Sequence, residues 1–424
     1  MTWAVRFRVR QYLAGSVWVV PLAGALLGAL LAPAGILFDE HVRIAGNWQY
    51  APSTATTIFA AIIGASAALA GFVVTVSVLV VQIAEGALSA RYMRLWFRDR
   101  MLKLVLAVLL GTLTFSMQEL RRVTNTFVPN AGVTASEALL VVGLVVFLLF
   151  LDRALHRVRP VAVAALIAES VRRACDEVAE AADSQDSPDF FVGVHETDET
   201  PTQVVTSARA GALQAIDGGG LVRFARANGC SIILLHTIGD FISQGAPLLA
   251  VYGPVAEPAR SEHRLRNMVA LGNERTIDQD PAFGIRIMVD IANMALSPAV
   301  NDPTTAVQII DHLGETLRVV GTVEVKMGHH TDLPPVAVPT RPWEEFVALA
   351  VTEIREYGAA SIQVNRRLRA MLQDVRDSVP TERKPAVEEE LARLEASVAR
   401  TFAGSVDLDR ALRADSQGLG GRTP

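Results

Sequence analysis

Residues 57–85 read TIFAAIIGASAALAGFVVTVSVLVVQIAE and carry no charge before Glu85. As a helix the run is roughly 40 Å long, more than the ~30 Å of a bilayer's hydrocarbon core. It therefore spans a membrane with tilt or projects past it. Its apolarity is uneven. Alternate steps of four and three residues pick out Thr57, Ala61, Gly64, Ala68, Gly71, Thr75, Val78, Gln82 and Glu85, small or polar almost throughout. Ile58, Ile62, Leu69, Phe72, Val73, Val76, Leu79 and Ile83 lie between them. In lipid, helices attract one another through close backbone approach, which small residues permit. The spacing predicts the small stripe turned toward protein and the bulky residues toward lipid. The stripe then either packs on a neighbouring helix or lines, in part, a water-accessible path.

Further apolar runs flank this one. Residues 12–38 are uncharged, contain Pro21 and Pro33, and follow Arg6, Arg8 and Arg10. The run is longer than the core of a signal peptide, so it reads as a first span, kinked or broken at proline. Residues 102–117 and 138–151 predict a third and a fourth. Between the second and third spans, residues 84–103 hold Arg91, Arg94, Arg98, Arg100 and Lys103 among Leu88, Tyr92, Leu95 and Trp96, the pattern of a helix on a membrane surface. Basic residues concentrate before 12, in 84–103 and after 152, so the positive-inside rule places both termini in the cytoplasm. The expectation is a multi-pass bacterial plasma-membrane protein, with the lipid bilayer as its first partner.

The 51 % hydrophobic content is concentrated before Asp152; the remainder of the chain has the mixed charge of soluble protein. A net charge of −5 and no basic tract interleaved with aromatics speak against nucleic acid. Cys175 and Cys230 lie too far apart in sequence to suggest a disulfide framework. The fold class expected is a membrane α-helical domain of four spans plus an α+β region. Its parts are a transmembrane domain (1–159), a connecting helix and linker (160–203), a small β-module (204–262), a helical region (263–322), C-terminal helices (323–403) and a disordered tail (404–424). The string 239–248, GDFISQGAPL, resembles a turn of biotinyl/lipoyl-like barrel-sandwich domains. No lysine occurs between 211 and 253, so cofactor attachment is rejected and no cofactor is expected. Asp217 before the triple glycine 218–220 reads as a helix cap rather than a phosphate site. Residues 323–327 form a candidate strand, and His329–His330 a loop rather than a metal site.

The densest polar stretch is 273–311, NERTIDQDPAFGIRIMVDIANMALSPAVNDPTTAVQIID. It predicts a helix over about 282–296, with Arg286 and Asp290 paired across one turn. Ser297-Pro298 stops it, and Asp302 with Pro303 starts a second helix. Arg275, Asp278, Asp280, Arg286, Asp290, Asn301, Asp302, Thr304 and Thr305 gather around the turn. They build either an internal capping and ion-pair network or a site for a ligand or hard cation. The strings R-T-I-x-Q-D-P-x-F-G-I-R, V-D-I-A and A-L-S-P-x-x-N-D-P-T-T-A resemble the hallmark of the domain-of-unknown-function family 2254, predicted bacterial membrane proteins. The resemblance implies membrane location and domain order, and no activity. Asn293-Met294 stands where the family pattern has a basic residue before A-L-S-P.

No nucleophile–base pair, phosphate loop, dinucleotide fingerprint or zinc spacing is evident, so neither catalytic nor metal residues are assigned. The leading expectation is a homo-oligomer that forms or regulates a passage for ions or small solutes, gated or sensed by the cytoplasmic part. The alternatives are a membrane-anchored scaffold or sensor, and an enzyme using the 275–306 cluster.

Overall fold

The structure, a computed structural model, describes residues 2–41, 49–87, 98–157, 159–183, 190–192, 199–322 and 334–419. Most of the expected surface helix, the candidate strand 323–327, His329–His330 and the Glu85 side chain lie outside them. The chain divides into two compact units, residues 11–159 and residues 1–10 with 160–424.

The chain starts with α1 (Trp3–Gly15), whose last five residues belong to the first unit; that unit continues with α2 (Val19–His41), α3 (Pro52–Ala87), α4 (Arg100–Leu120) and α5 (Asn130–Arg157). Three stretches are long and apolar enough to cross a membrane: Pro52–Ile83, Arg100–Leu120 and Asn130–Ala154. A fourth crossing is supplied if Trp3–Gly15 and Val19–Pro33, bent by 79°, count as one. The bend does not sit at proline. Pro21 falls in the first turn of α2, where a missing N–H costs nothing, and α2 runs on through Pro33. The break is at 16–18. There the buried Lys103 of α4 donates to the carbonyls of Leu13 (3.1 Å) and Ala14 (2.5 Å), satisfying the end of α1.

Helices α2 and α4 meet backbone to backbone. A Cβ on Gly24 would stand 2.4 Å from the Ala107 carbonyl oxygen, and one on Gly28 2.1 Å from that of Gly111. Thr114 donates to the Ala25 carbonyl at 2.7 Å, so a hydrogen bond crosses the same seam. Elsewhere in the unit Val73 and Val80 of α3 pack with Leu102, Val105 and Leu109 of α4 and with Phe147 and Phe150 of α5.

Within the one chain the small stripe of α3 does not face the other helices, while Phe72, Leu79 and Ile83 are exposed as expected. The buried residues of α3 are Ala55, Phe59, Ile62, Ser66, Val73 and Val80, whereas Thr57, Ala61, Gly64, Ala68, Gly71, Thr75 and Gln82 are exposed. Nothing lies within 4 Å of a Cβ built on Gly64 or Gly71. Spacing determines which residues share a face but not what faces it. The surfaces of α4 and α5 are aliphatic and aromatic, and bulky α3 side chains fill them.

The second unit follows α6 (Pro160–Asp183) and β1 (Phe190–Val192). It continues with β2 (Gln203–Thr206), β3 (Gly211–Ile216), α7 (Gly218–Asn228), β4 (Ser231–Leu234), β5 (Phe241–Ile242), β6 (Pro247–Tyr252), α8 (Pro258–Arg266) and β7 (Val269–Gly272). After α9 (Pro281–Leu296), α10 (Pro303–Thr322) and β8 (Val336–Val338) come α11 (Trp343–Tyr357), α12 (Ile362–Ser378), α13 (Lys384–Thr401) and a short α14 (Leu408–Ala411). Among the described residues the strands form two sheets, β1-β8-β4-β6-β2 and β5-β3-β7, and no closed barrel. The barrel-sandwich expectation is thereby corrected. The sheets recruit β1, β7 and β8 from outside 204–262, and β1 and β4 both run parallel to β8. Helix α7 also seats Leu221 and Phe224 in the core with Leu213, Ile232, Leu249, Leu271 and Val336. Asp217 caps α7 at 2.9 Å from the Gly220 amide. Gly239 and Gly245 adopt positive φ, as the glycine-marked turns require.

The expected disordered tail is ordered over 404–419. Arg366 and Asp415, both buried, pair at 3.7 Å, and Arg367 donates to the Ser416 carbonyl at 3.0 Å. The α2–α4 seam yields a contrast in stability. Gly28→Leu should cost about 3 kcal/mol or more, because backbone cannot yield to the added side chain. Gly64→Leu should stay within about 0.5 kcal/mol of the parent in the monomer, because nothing in its own chain lies beside Gly64. Thermal unfolding of the detergent-solubilised variants reads both.

Candidate functional site

Local sequence sets up the polar cluster as expected. Asp280 caps α9 by accepting from the Phe283 amide at 3.1 Å, with Pro281 in the first turn. The turn after Ser297 brings Asn301 to φ 48°, a conformation asparagine tolerates better than most residues. Asp302 then accepts from the Thr305 amide (3.0 Å) and hydroxyl (2.5 Å), and the hydroxyl first, then the amide, lower its pKa.

The nine cluster residues do not converge on one point. Arg286 Nε reaches Asp290 at 2.8 Å, and the same guanidinium clamps Glu353 of α11, with one bond at 2.7 Å. Asn293 donates to Glu353 at 2.8 Å. Asn293 is thus a neutral donor to the carboxylate that Arg286 also holds. Hydrogen bonding to Arg286 lowers the Glu353 pKa, and the paired carboxylates raise that of Arg286. Asp302, Thr305 and Asn301 belong to the start of α10; Thr304 is exposed there and Asp278 half-buried before α9.

A third group surrounds Asp280. Its second oxygen, Oδ2, is buried without a hydrogen bond and lies 2.3 Å from where a Cβ on Gly239 would stand. Only glycine admits it. Arg275 donates to the Gly239 carbonyl at 2.6 Å. Burial pushes the Asp280 pKa from 3.8 up to about 6, against the pull of the Phe283 amide, Arg275 and Arg341, while Asp240 adds to the rise. Glu353, Asn293, Gly239 and Arg341 carry no sequence signal for these roles. Glu353 is 67 residues from Arg286.

Among the described residues, no group of three or more His, Cys, Asp or Glu side chains could hold a metal ion. The cluster consumes its charges internally, and its chemistry is that of a clamp between α9 and α11.

The α3 stripe has a different character. The Thr57 and Thr75 hydroxyls donate to the carbonyls of Ser53 (2.9 Å) and Gly71 (3.0 Å), so they are satisfied within their own helix. Polar groups inside the membrane unit collect instead near one end of α4 and α5. Ser116 donates to Ser136 at 3.1 Å, the Tyr50 amide to Asn130 at 2.8 Å, and the fully buried Glu119 lies against Gly132. Ser116 and Ser136 stand among other polar residues, Thr112, Thr114, Thr134 and Glu137, so no sequence pattern singles them out.

The profile of the domain-of-unknown-function family 2254, described as predicted membrane protein, matches residues 14–374. The chain belongs to this family. Uncharacterized protein MT1328 of Mycobacterium tuberculosis (strain CDC 1551 / Oshkosh) is 28 % identical over 424 residues, covering 95 % of this chain and 80 % of the relative. Uncharacterized protein Mb1321c of Mycobacterium bovis matches at the same identity and coverage. No solved structure matches. In this family-2254 chain, residues 275–306 supply the α9 and α10 caps and the Arg286 clamp.

Two measurements test the clamp and the buried carboxylate. Arg286→Met leaves Asp290 and Glu353 without their shared cation and should cost about 2 kcal/mol, more than Glu353→Gln at the exposed end of the pair. For Asp280 the folded state holds a proton that the unfolded state has lost between pH 3.8 and about 6. Its contribution to stability is therefore full below that window and falls by about 3 kcal/mol as pH rises through it. Asp280→Asn keeps the cap and should remove that slope, so its advantage over the parent in chemical denaturation grows from pH 4 to pH 7.

Proposed function

We propose that this protein is a multi-pass plasma-membrane protein that assembles with copies of itself through the small face of α3. In that assembly it forms or regulates a passage for ions or small solutes. The basic residues before 12 and after 152 favour a cytoplasmic position for both termini, and the second unit then serves as gate or sensor. One observation carries the reading: the exposed face of α3 is small over two turns and more, with open space beside Gly64 and Gly71. Against lipid such a face gives poor contact; against a second helix it permits close backbone approach. Four spans enclose little water on their own, so a passage needs the assembly.

A second reading, a membrane-anchored scaffold or sensor, is favoured by the Thr57 and Thr75 hydroxyls, which spend their hydrogen bonds within α3. An enzyme built on 275–306 is the weakest of the three, because the charges there neutralise one another.

Single Gly64→Cys and Gly71→Cys chains should cross-link between copies in native membranes. The protein reconstituted in liposomes should release an entrapped ion, and Gly71→Leu or Gln82→Leu should reduce that release several-fold. Absence of any cross-link defeats the assembly. Cross-linking without release assigns the scaffold reading.

A further inference from the structure

Helix α1 carries a face that nothing among the described residues covers. Ala4 is buried, its amide donates to the Asn267 carbonyl at 3.0 Å, and Trp3 stacks on Phe7 with ring centroids 5.3 Å apart. That side of the helix is anchored in protein. On the other side Val9, Tyr12 and Leu13 are exposed, Tyr12 at 61 %. At 100° per residue they form one stripe, with Arg6 and Arg10 along one edge and Arg8 along the other. The helix contains no acidic residue. Trp18, 57 % exposed, comes in the break before α2.

The surroundings add positive charge. Arg98 donates to Gln11 Oε1 at 2.9 Å, and Arg8 lies near enough to Arg209 to help burial depress the Arg209 pKa. An apolar stripe between rows of arginine, continuous with a membrane helix through a three-residue break, has the composition of a segment lying in the headgroup layer. Aliphatic and aromatic side chains enter the acyl boundary while the guanidinium groups stay among phosphates. A second copy is a poor occupant, since three arginines on each partner would repel.

We infer that α1 is a membrane-surface helix whose outer face binds the headgroups of anionic lipids, so that α2 alone makes the crossing. The uncharged part of α2, residues 19–38, is about 30 Å long, enough to span. Lys103 fastens the corner by closing the last carbonyls of α1. This inference is independent of any passage: it concerns how the first helix meets lipid.

The test uses the full-length protein in nanodiscs of phosphatidylcholine alone or with phosphatidylglycerol. Val9→Cys and Leu13→Cys chains are labelled with an environment-sensitive fluorophore; the native Cys175 and Cys230 are buried and stay unlabelled. Both labels should be quenched by a shallow lipid-borne nitroxide and protected from iodide. Phosphatidylglycerol should raise the melting temperature of the parent. The titration midpoint for this lipid should shift on the order of tenfold in Arg6→Gln/Arg10→Gln, and salt should weaken the effect. Labels quenched by iodide alone overturn the inference, as does an Arg6→Gln/Arg10→Gln chain that responds to phosphatidylglycerol like the parent. These positions are exposed, so folding should survive; should the double variant fail to fold, label depth in the two lipid mixtures decides.

Discussion

The membrane unit rests on backbone meeting backbone. Where α2 crosses α4, Gly24 and Gly28 bring their Cα atoms against the carbonyls of Ala107 and Gly111, and no side chain fits between. Lipid tails are as apolar as leucine, so burial alone gives helices little reason to leave lipid for one another. Contact at this range supplies dispersion and dipolar attraction instead, with Thr114 adding a hydrogen bond to Ala25. The other packing in the unit, aliphatic and aromatic, is arranged around helices already fixed by that seam.

The second unit is held by a different device. Capping carboxylates fix the starts of α7, α9 and α10, and ion pairs tie helices distant in the chain. The guanidinium of Arg286 serves two carboxylates and couples α9 to α11. Asp280 departs from this economy. Its buried Oδ2 abuts a glycine turn from another part of the chain, and its raised pKa is the electrostatic cost of that position. A cluster dense in charge thus turns out to be largely self-neutralised, with one carboxylate held where solvation is poor.

How much could be read beforehand differed by kind of feature. The caps at Asp217, Asp280 and Asp302 and the pair Arg286–Asp290 were readable because every partner lies within four residues. The turns at Gly239 and Gly245 were readable because few residues other than glycine adopt their backbone angles. Glu353 was not, since no local pattern announces a partner 67 residues on. The β-module was half visible. Its own strands show in the sequence, but β1 and β8 enter from distant segments, which replaces the barrel-like expectation with two sheets and a helix. Residues 404–419 take their contacts from Arg366 and Arg367 in another helix, partners that no local pattern announces.

By itself the sequence determined that apolar helices of membrane-spanning length precede a more charged α+β part, where the helices start and stop, and which residues share a face of α3. These follow from short-range rules, periodicity, capping and the exclusion of charge from lipid. Only the tertiary structure decided which face of α3 turned inward, that α2 rather than α3 supplied the glycine seam, and that the 275–306 charges were spent on one another. Those outcomes depend on the shape and charge of surfaces that distant segments present, and a linear pattern of residue types does not contain them.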